Sequence, residues 1–280
     1  MIFSNEEPEN FGLEQFYGLC LYRGSNDFYS LYIYIQVMTI TRKKAKPFHF
    51  KQFTIHQDRC SMKVGTDGVL LGAWADVGEA AHILDVGTGS GLIAIMLAQR
   101  AEGAHIHAVE VDQASAGQAR ENMEVSPWKG RLQVFHAPVQ EYARSVSTPY
   151  DLIVSNPPFF SGGTFSHNQD RNSVRHTIKL PHGDLLSAAR SLLAPRGRFC
   201  LILPYIEGLR FQELAKNYHL YCTRETEVKP TKDKPVERLL LQFEREAREI
   251  EKNSLVIQNN KRNDWTEEYV KLAGDFYLKM

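Results

Sequence analysis

Two short segments hold residues whose types and spacing can do chemistry. The first, Asp85-Val-Gly-Thr-Gly-Ser-Gly91, is a glycine loop, and the second, Asn156-Pro-Pro-Phe159, is a rigid turn rich in acceptors. In the loop, Gly87, Gly89 and Gly91 omit the Cβ atoms that would hold a ligand away from the backbone. The spacing is G-x-G-x-G rather than the G-x-G-x-x-G of a pyrophosphate cradle, and position 92 is Leu. Glu110 follows the loop by roughly 20 residues, where an acid accepts both hydroxyls of a ribose. Asp112 is the weaker candidate for that role. Asp85 is placed to orient the loop or to reach an ammonium group.

The second segment suits a nitrogen. Pro157 and Pro158 fix their backbone angles and carry no N–H, which leaves carbonyls exposed as acceptors. An amino or amide group can give one N–H to the Asn156 side-chain oxygen and the other to the Pro157 carbonyl. Those bonds draw the nitrogen lone pair out of conjugation and make it a nucleophile. Phe159 can stack on a planar base or amide; Phe160 either shares that role or packs in the core. Together the segments point to methyl transfer from S-adenosylmethionine (SAM) to a nitrogen. Such a reaction works by alignment and pre-set acceptors and needs no metal and no perturbed general base.

The elements that position these residues alternate between strand-like and helix-like runs from residue 82, the pattern of a parallel sheet with crossover helices. Strands are expected at 82–86, 104–111, 132–137, 150–155 and 198–203, the first running into the glycine loop and the fourth into Asn156. Helices are expected at 92–100, 113–124 and 185–193, the last stopped by Pro195 and Gly197. Residues 219–228 and 237–243 read as an antiparallel hairpin around the turn-rich Lys229-Pro-Thr-Lys-Asp-Lys-Pro235. Arg245 to Lys252 is a charge run expected to be a solvated face or linker, and 265–278 a terminal helix.

Composition bounds the class. The 280 residues are 43% hydrophobic and 24% charged with zero formal net charge, an ordinary globular balance that excludes a strongly basic, sequence-blind nucleic-acid binder. Cys20, Cys60, Cys200 and Cys222 stand far apart, so no zinc site or disulfide framework is expected and a reducing cytoplasm fits. Cys200 reads as a small buried hydrophobe. The richest apolar run, 28–38, is too short to span a membrane. Residues 1–37 differ from the rest, and translation is expected to start at Met38, leaving 1–37 as a non-native or disordered extension and 38–280 as the catalytic domain.

The pattern resembles Rossmann-like class I methyltransferases of the amino-methylating branch. Phe53-Thr-Ile-His-Gln-Asp-Arg-Cys-Ser-Met-Lys-Val-Gly-Thr-Asp-Gly-Val-Leu-Leu-Gly-Ala-Trp-Ala75 is similar to the N-terminal signature of the bacterial tRNA1(Val) adenine-N6 methyltransferases. Leu84 to Leu92, Glu121-Asn122 with Ser126-Pro-Trp128, and Phe276-Tyr-Leu-Lys-Met280 extend the likeness. It covers about 48–280. The resemblance implies an α/β fold with a seven-stranded, mostly parallel sheet, helices on both faces and a C-terminal antiparallel hairpin. It implies that Lys63, Thr66 and Asp67 lie beside SAM, that Gly87, Thr88, Gly89 and Gly91 hold its methionine end, and that Glu110 holds its ribose. Asn156, Pro157, Pro158 and Phe159 would hold the target base, with Asn156 also next to the cofactor. The substrate implied is adenine 37 of tRNA1(Val), with no obligate protein partner.

One position departs from the pattern: Pro138 stands where such enzymes often place an acid for the cofactor's adenine, with a backbone carbonyl or Glu141 as the substitute. RNA contacts are expected from Arg42, Lys43, Lys44, Lys46 and Lys51, and from Arg171, Arg175, His176 and Lys179 after the Asn-Pro-Pro turn. Three other readings stay open: methylation of a glutamine amide in peptide-release factors, guanine-N2 methylation of ribosomal RNA, and a SAM-binding regulator without turnover.

Overall fold

The computed structural model describes residues 45–158, 180–259, 261 and 263–280. The parts of the N-terminal extension and of the loop after Pro158 that fall outside this range include residues 1–37, Arg42, Lys43, Lys44, Phe159, Phe160, Arg171, Arg175, His176 and Lys179.

A short hairpin, β1 (Phe48–His49) and β2 (Thr54–Ile55), precedes helix α1 (Thr66–Trp74). Then come β3 (His82–Val86), α2 (Leu92–Arg100), β4 (His105–Glu110), α3 (Gln113–Glu124), β5 (Leu132–His136), α4 (Val139–Ser145) and β6 (Tyr150–Ser155). After the undescribed segment follow α5 (His182–Leu192), β7 (Leu193–Pro204), α6 (Tyr205–Lys216), β8 (Tyr221–Thr231), β9 (Arg238–Glu244), β10 (Glu251–Gln258) and α7 (Glu267–Ala273). The main sheet runs β10-β8-β9-β7-β6-β3-β4-β5, with only β9 antiparallel to its neighbours.

Alternation along the strands explains why helices cover both faces. Ile83 packs in one core and Leu84 in the other, as do Leu152 and Ile153, because successive side chains point to opposite faces of a strand. One core takes α1 and α2, with Leu70, Leu71, Ile95 and Met96; the other takes Leu185, Leu186 and Phe211 from α5 and α6. Strand order reverses between β3 and β6, so their carboxyl ends bound a crevice at the point where doubly wound folds place ligands.

Three expectations are corrected. The sheet has eight strands, not seven, because the end of the expected charged linker enters an edge strand, β10, paired parallel to β8. Exposed Glu251 and Lys252 sit on that edge, where charge discourages pairing with another chain. Arg245, expected in the same solvated run, turns inward, and its guanidinium donates to the Arg190 and Leu193 carbonyls at the end of α5. The terminal helix is confined to Glu267–Ala273: Thr266 caps it by accepting from Tyr269 N, Trp265 bridges to Gln258, and Tyr277 pairs with Phe50. Cys200 is fully buried in β7, as expected, and burial pushes its thiol up to about 12. Among the described residues no helix is long and apolar enough to cross a membrane.

Candidate active site

The glycine loop closes β3 through its own backbone. Gly87 and Thr88 donate N–H bonds to the Val109 carbonyl at 2.8 and 3.2 Å, and Gly91 N–H donates to the Thr88 carbonyl at 2.9 Å. Gly87 and Gly89 have φ of +72° and +56°, values that L side chains rarely adopt. A Cβ at either position would point into open space. Gly91 (φ +84°) serves packing instead, since a Cβ there would meet Met123 and Ala119 of α3 at 3.3–3.4 Å.

Two buried acids hold the loop from below. Asp85 Oδ2 accepts from the Thr88 hydroxyl at 2.6 Å and from Ala94 N–H at 3.2 Å, while its Oδ1 is buried with no partner. Burial raises its pKa to about 7 against the loop's hydrogen bonds, which act the other way, and the Glu110 charge adds to the rise. Glu110 accepts Gly89 N–H on Oε2 and Asp112 N–H on Oε1, both at 2.9 Å. Its structural contact is therefore to the loop, with further lone pairs left on both oxygens. Asp112 caps α3 by accepting Ser115 N–H at 2.8 Å, which accounts for it without any ligand.

Asn122, whose identity drew notice only through the resemblance, is fully buried and pins this region together. Its amide donates to the Ser90 and His56 carbonyls at 2.8 Å, and its oxygen accepts His56 N–H at 3.0 Å. The glycine loop and the segment after β2 are thereby tied to one side chain on α3.

A cleft of about 540 Å³ opens at the carboxyl edge. Lys63, Thr66, Asp67, Gly87, Thr88, Gly89 and Asn156 all line it. Val86 pairs with Ser155 across the β3–β6 ladder, and Ser155 Oγ donates to the Val86 carbonyl at 2.9 Å. Asn156 and Gly87 therefore stand side by side, one strand spacing of roughly 5 Å apart. The Asn156 Oδ1 atom is buried and has no hydrogen-bond partner among the described residues. Pro157 is buried and Pro158 exposed. Helix α1 begins at this cleft with Gly65 as its cap residue and no side-chain cap, so its first N–H groups are open to a ligand's acceptor.

Some expected partners are elsewhere. Asp85, Gly91, Glu110 and Glu141, the last exposed on the first turn of α4, do not line this cleft. Lys51, exposed, donates to the Gly274 carbonyl at 2.6 Å and so caps α7. Lys46 is exposed. The sequence reading missed the wall opposite the glycine loop, built from Val228, Pro230, Glu237, Arg238, Gln258 and Trp265. Arg238 Nε donates to Asp67 Oδ2 at 2.9 Å and joins that wall to α1. Only the tertiary fold brings residues so distant in the chain into one cleft. Among the described residues no group of three His, Cys, Asp or Glu side chains is placed to hold a metal.

Comparison with known proteins agrees with this geometry. Residues 64–210 match the family model of the methyltransferase small domain. The chain is 47% identical over 234 residues to a Trichodesmium erythraeum protein named tRNA1(Val) (adenine(37)-N6)-methyltransferase, covering 83% of this chain and 98% of that one. Proteins of the same name from Histophilus somni and Flavobacterium johnsoniae are 44% and 45% identical. The matches cover 84% and 83% of this chain and 98% and 100% of theirs. Among solved structures, a predicted O-methyltransferase from Agrobacterium tumefaciens superposes with a TM-score of 0.60 at 20% identity, over 75% of this chain and 96% of that one. At that identity the likeness speaks to the fold alone.

Proposed function

The chain belongs to the methyltransferase small-domain family and, within it, to the tRNA1(Val) (adenine(37)-N6)-methyltransferases, and from that premise we propose that it methylates the N6 amino group of adenine 37 in tRNA1(Val), using SAM. The observation that carries the reading is the Asn156 side-chain oxygen beside the glycine loop, a buried acceptor without a partner among the described residues. A buried acceptor left unpaired costs about 1–3 kcal/mol, and a substrate N–H removes that cost. An adenine amino group brings two such donors. Asn156 Oδ1 takes one and the Pro157 carbonyl the other, so the nitrogen lone pair turns away from the ring.

The residues present fit the cofactor. The open space over Gly87 and Gly89 is a cradle that any Cβ would begin to fill. Asp85 Oδ1, buried and unpartnered, matches an ammonium group, whose charge also favours the ionised acid. Glu110 holds the loop with one lone pair of each oxygen and keeps the others for ribose hydroxyls. The N-terminus of α1, with Thr66 and Asp67, and Lys63 flank the cleft. When bound, SAM supplies a methyl group already activated by its sulfonium. The protein's contribution is to align the amino nitrogen, exclude water and offer acceptors for the developing positive charge. The surplus proton leaves to water after transfer.

The pocket chemistry alone would serve a glutamine amide equally well; kinship separates the two. Arg42, Lys43, Lys44 and Lys46, with Arg171, Arg175 and His176, are proposed as further RNA contacts, and Phe159 as the stacking ring. The test is incubation with SAM and an unmodified tRNA1(Val) transcript, followed by nucleoside mass spectrometry. N6-methyladenosine that disappears when adenine 37 is replaced by guanine supports the reading. An unmethylated transcript together with labelled glutamine in a release factor overturns it.

A further inference from the structure

We infer that the tip of the β8–β9 hairpin, with Lys229, Lys232 and Lys234, is a docking surface for the phosphate backbone of the RNA beside the cleft. This rests on the tRNA reading above and adds where the substrate is gripped. The last pairing of β7 with β9 is Pro204 with Arg238. Residues 229–237 therefore overhang the carboxyl edge of the sheet, where the cleft opens, and Val228, Pro230, Glu237 and Arg238 at the base of the overhang form the cleft wall.

The overhang is braced. The eighth strand, β10, pairs with it at Lys229 and Thr231 through Val256 and Gln258. Tyr205 N–H at the start of α6 donates to the Glu237 carbonyl at 3.0 Å, Glu237 N–H to the Val228 carbonyl at 2.9 Å, and Lys234 N–H closes the turn on the Thr231 carbonyl at 3.1 Å. A hairpin built only to end a sheet has no need of a supporting strand past the point where its inner neighbour stops.

Charge identifies the partner. Lys232 and Lys234 are exposed, and among the described residues no ion pair engages Lys229, Lys232 or Lys234. Some cations elsewhere have structural duties: Arg238 pairs with Asp67, Lys51 caps α7, and Lys216 pairs with Glu213. Glu237 belongs to the cleft wall, which leaves Asp233 as the acid of the tip itself. From the Val228–Arg238 pair to the tip is about four residues, or roughly 13 Å at 3.3 Å per residue. That reach sets the tip lysines beyond the cleft wall, where the phosphates of a strand entering the cleft would lie. Lysine, a compact charge on a flexible stem, tolerates the varied geometry of a phosphodiester chain.

The experiment measures tRNA binding by filter retention over a salt series, for the wild type and for Lys232→Glu combined with Lys234→Glu. The expected result is about tenfold or greater loss of affinity, with the log–log salt slope shallower by roughly 1.5, two phosphate contacts at 0.7–0.9 each. SAM affinity, read by calorimetry, stays unchanged and reports an intact fold. Lys252→Glu, at the far end of β10, is the control for reversing a lysine away from the tip and leaves tRNA affinity in place. Wild-type binding that the double reversal does not weaken overturns the surface alone, as does an equal loss in Lys252→Glu. A wild type that binds no tRNA overturns the substrate reading and this surface with it.

Discussion

The Asn156 oxygen makes no hydrogen bond among the described residues, so truncating the side chain takes little from the described fold and a great deal from the proposed transition state. Asn156→Ala is expected to lower kcat by about 100-fold or more, by analogy with the loss of one pre-organised polar group. SAM affinity measured by calorimetry should hold; retained turnover would remove the residue from the mechanism. Asp85 makes a second prediction at this scale. Its folded pKa, raised by burial to about 7 from the ordinary 3.8, means that the folded chain keeps a proton which the unfolded chain loses between those values. Stability from this group therefore falls as pH rises from about 4 through about 7. Asp85→Asn escapes that loss. The melting temperature of the ligand-free variant should gain on the wild type from pH 5 to pH 8; parallel pH profiles would contradict the assignment.

At the scale of elements, the glycine loop depends on a helix that never touches the cleft. Asn122 on α3 spends its amide on Ser90 and His56, and removing it leaves three backbone groups short of a partner. Each buried unsatisfied group costs about 1–3 kcal/mol. Asn122→Ala should therefore lower the unfolding free energy by at least about 2 kcal/mol in urea and weaken SAM binding together with it. A stability loss with unchanged SAM affinity would show that the loop holds its shape without this tether. Helix ends depend on similar side chains. Arg100 donates to the Gly72 and Ala75 carbonyls at the end of α1, and Arg131 to three carbonyls around the end of α2. Burial lowers the Arg100 pKa from its ordinary value, the expected consequence of spending a cation on carbonyls inside the fold.

Over the whole molecule, the two ends of the described chain lock onto each other. Phe276 is 2% exposed, its carbonyl accepts Lys51 N–H at 2.8 Å, and Tyr277 pairs with Phe50, whose ring stacks on Phe53 at 4.6 Å. Phe276→Ala is expected to cost about 3–5 kcal/mol in denaturant unfolding, the range for emptying a buried aromatic site. A loss under about 1 kcal/mol would mean the C-terminal tail is an ornament on the core.

The sequence by itself determined the parallel sheet from residue 82 to 155, the loop at Gly87–Gly91 and the place of Asn156-Pro-Pro at the end of a strand. Those are local properties: periodicity along a strand, missing Cβ atoms, missing N–H groups at two prolines. It also placed the β8–β9 hairpin, where turn residues separate two apolar runs. Tertiary structure alone decided that Glu251–Gln258 is a strand, because an edge strand exposes one side and its charged residues read as a linker until a partner is found. It alone decided that Glu110 braces the loop, that Lys51 caps a helix at the other end of the chain, and that Arg238 reaches Asp67. In each case the deciding contact joins residues far apart in the chain, and no local pattern in the sequence encodes the distance between them.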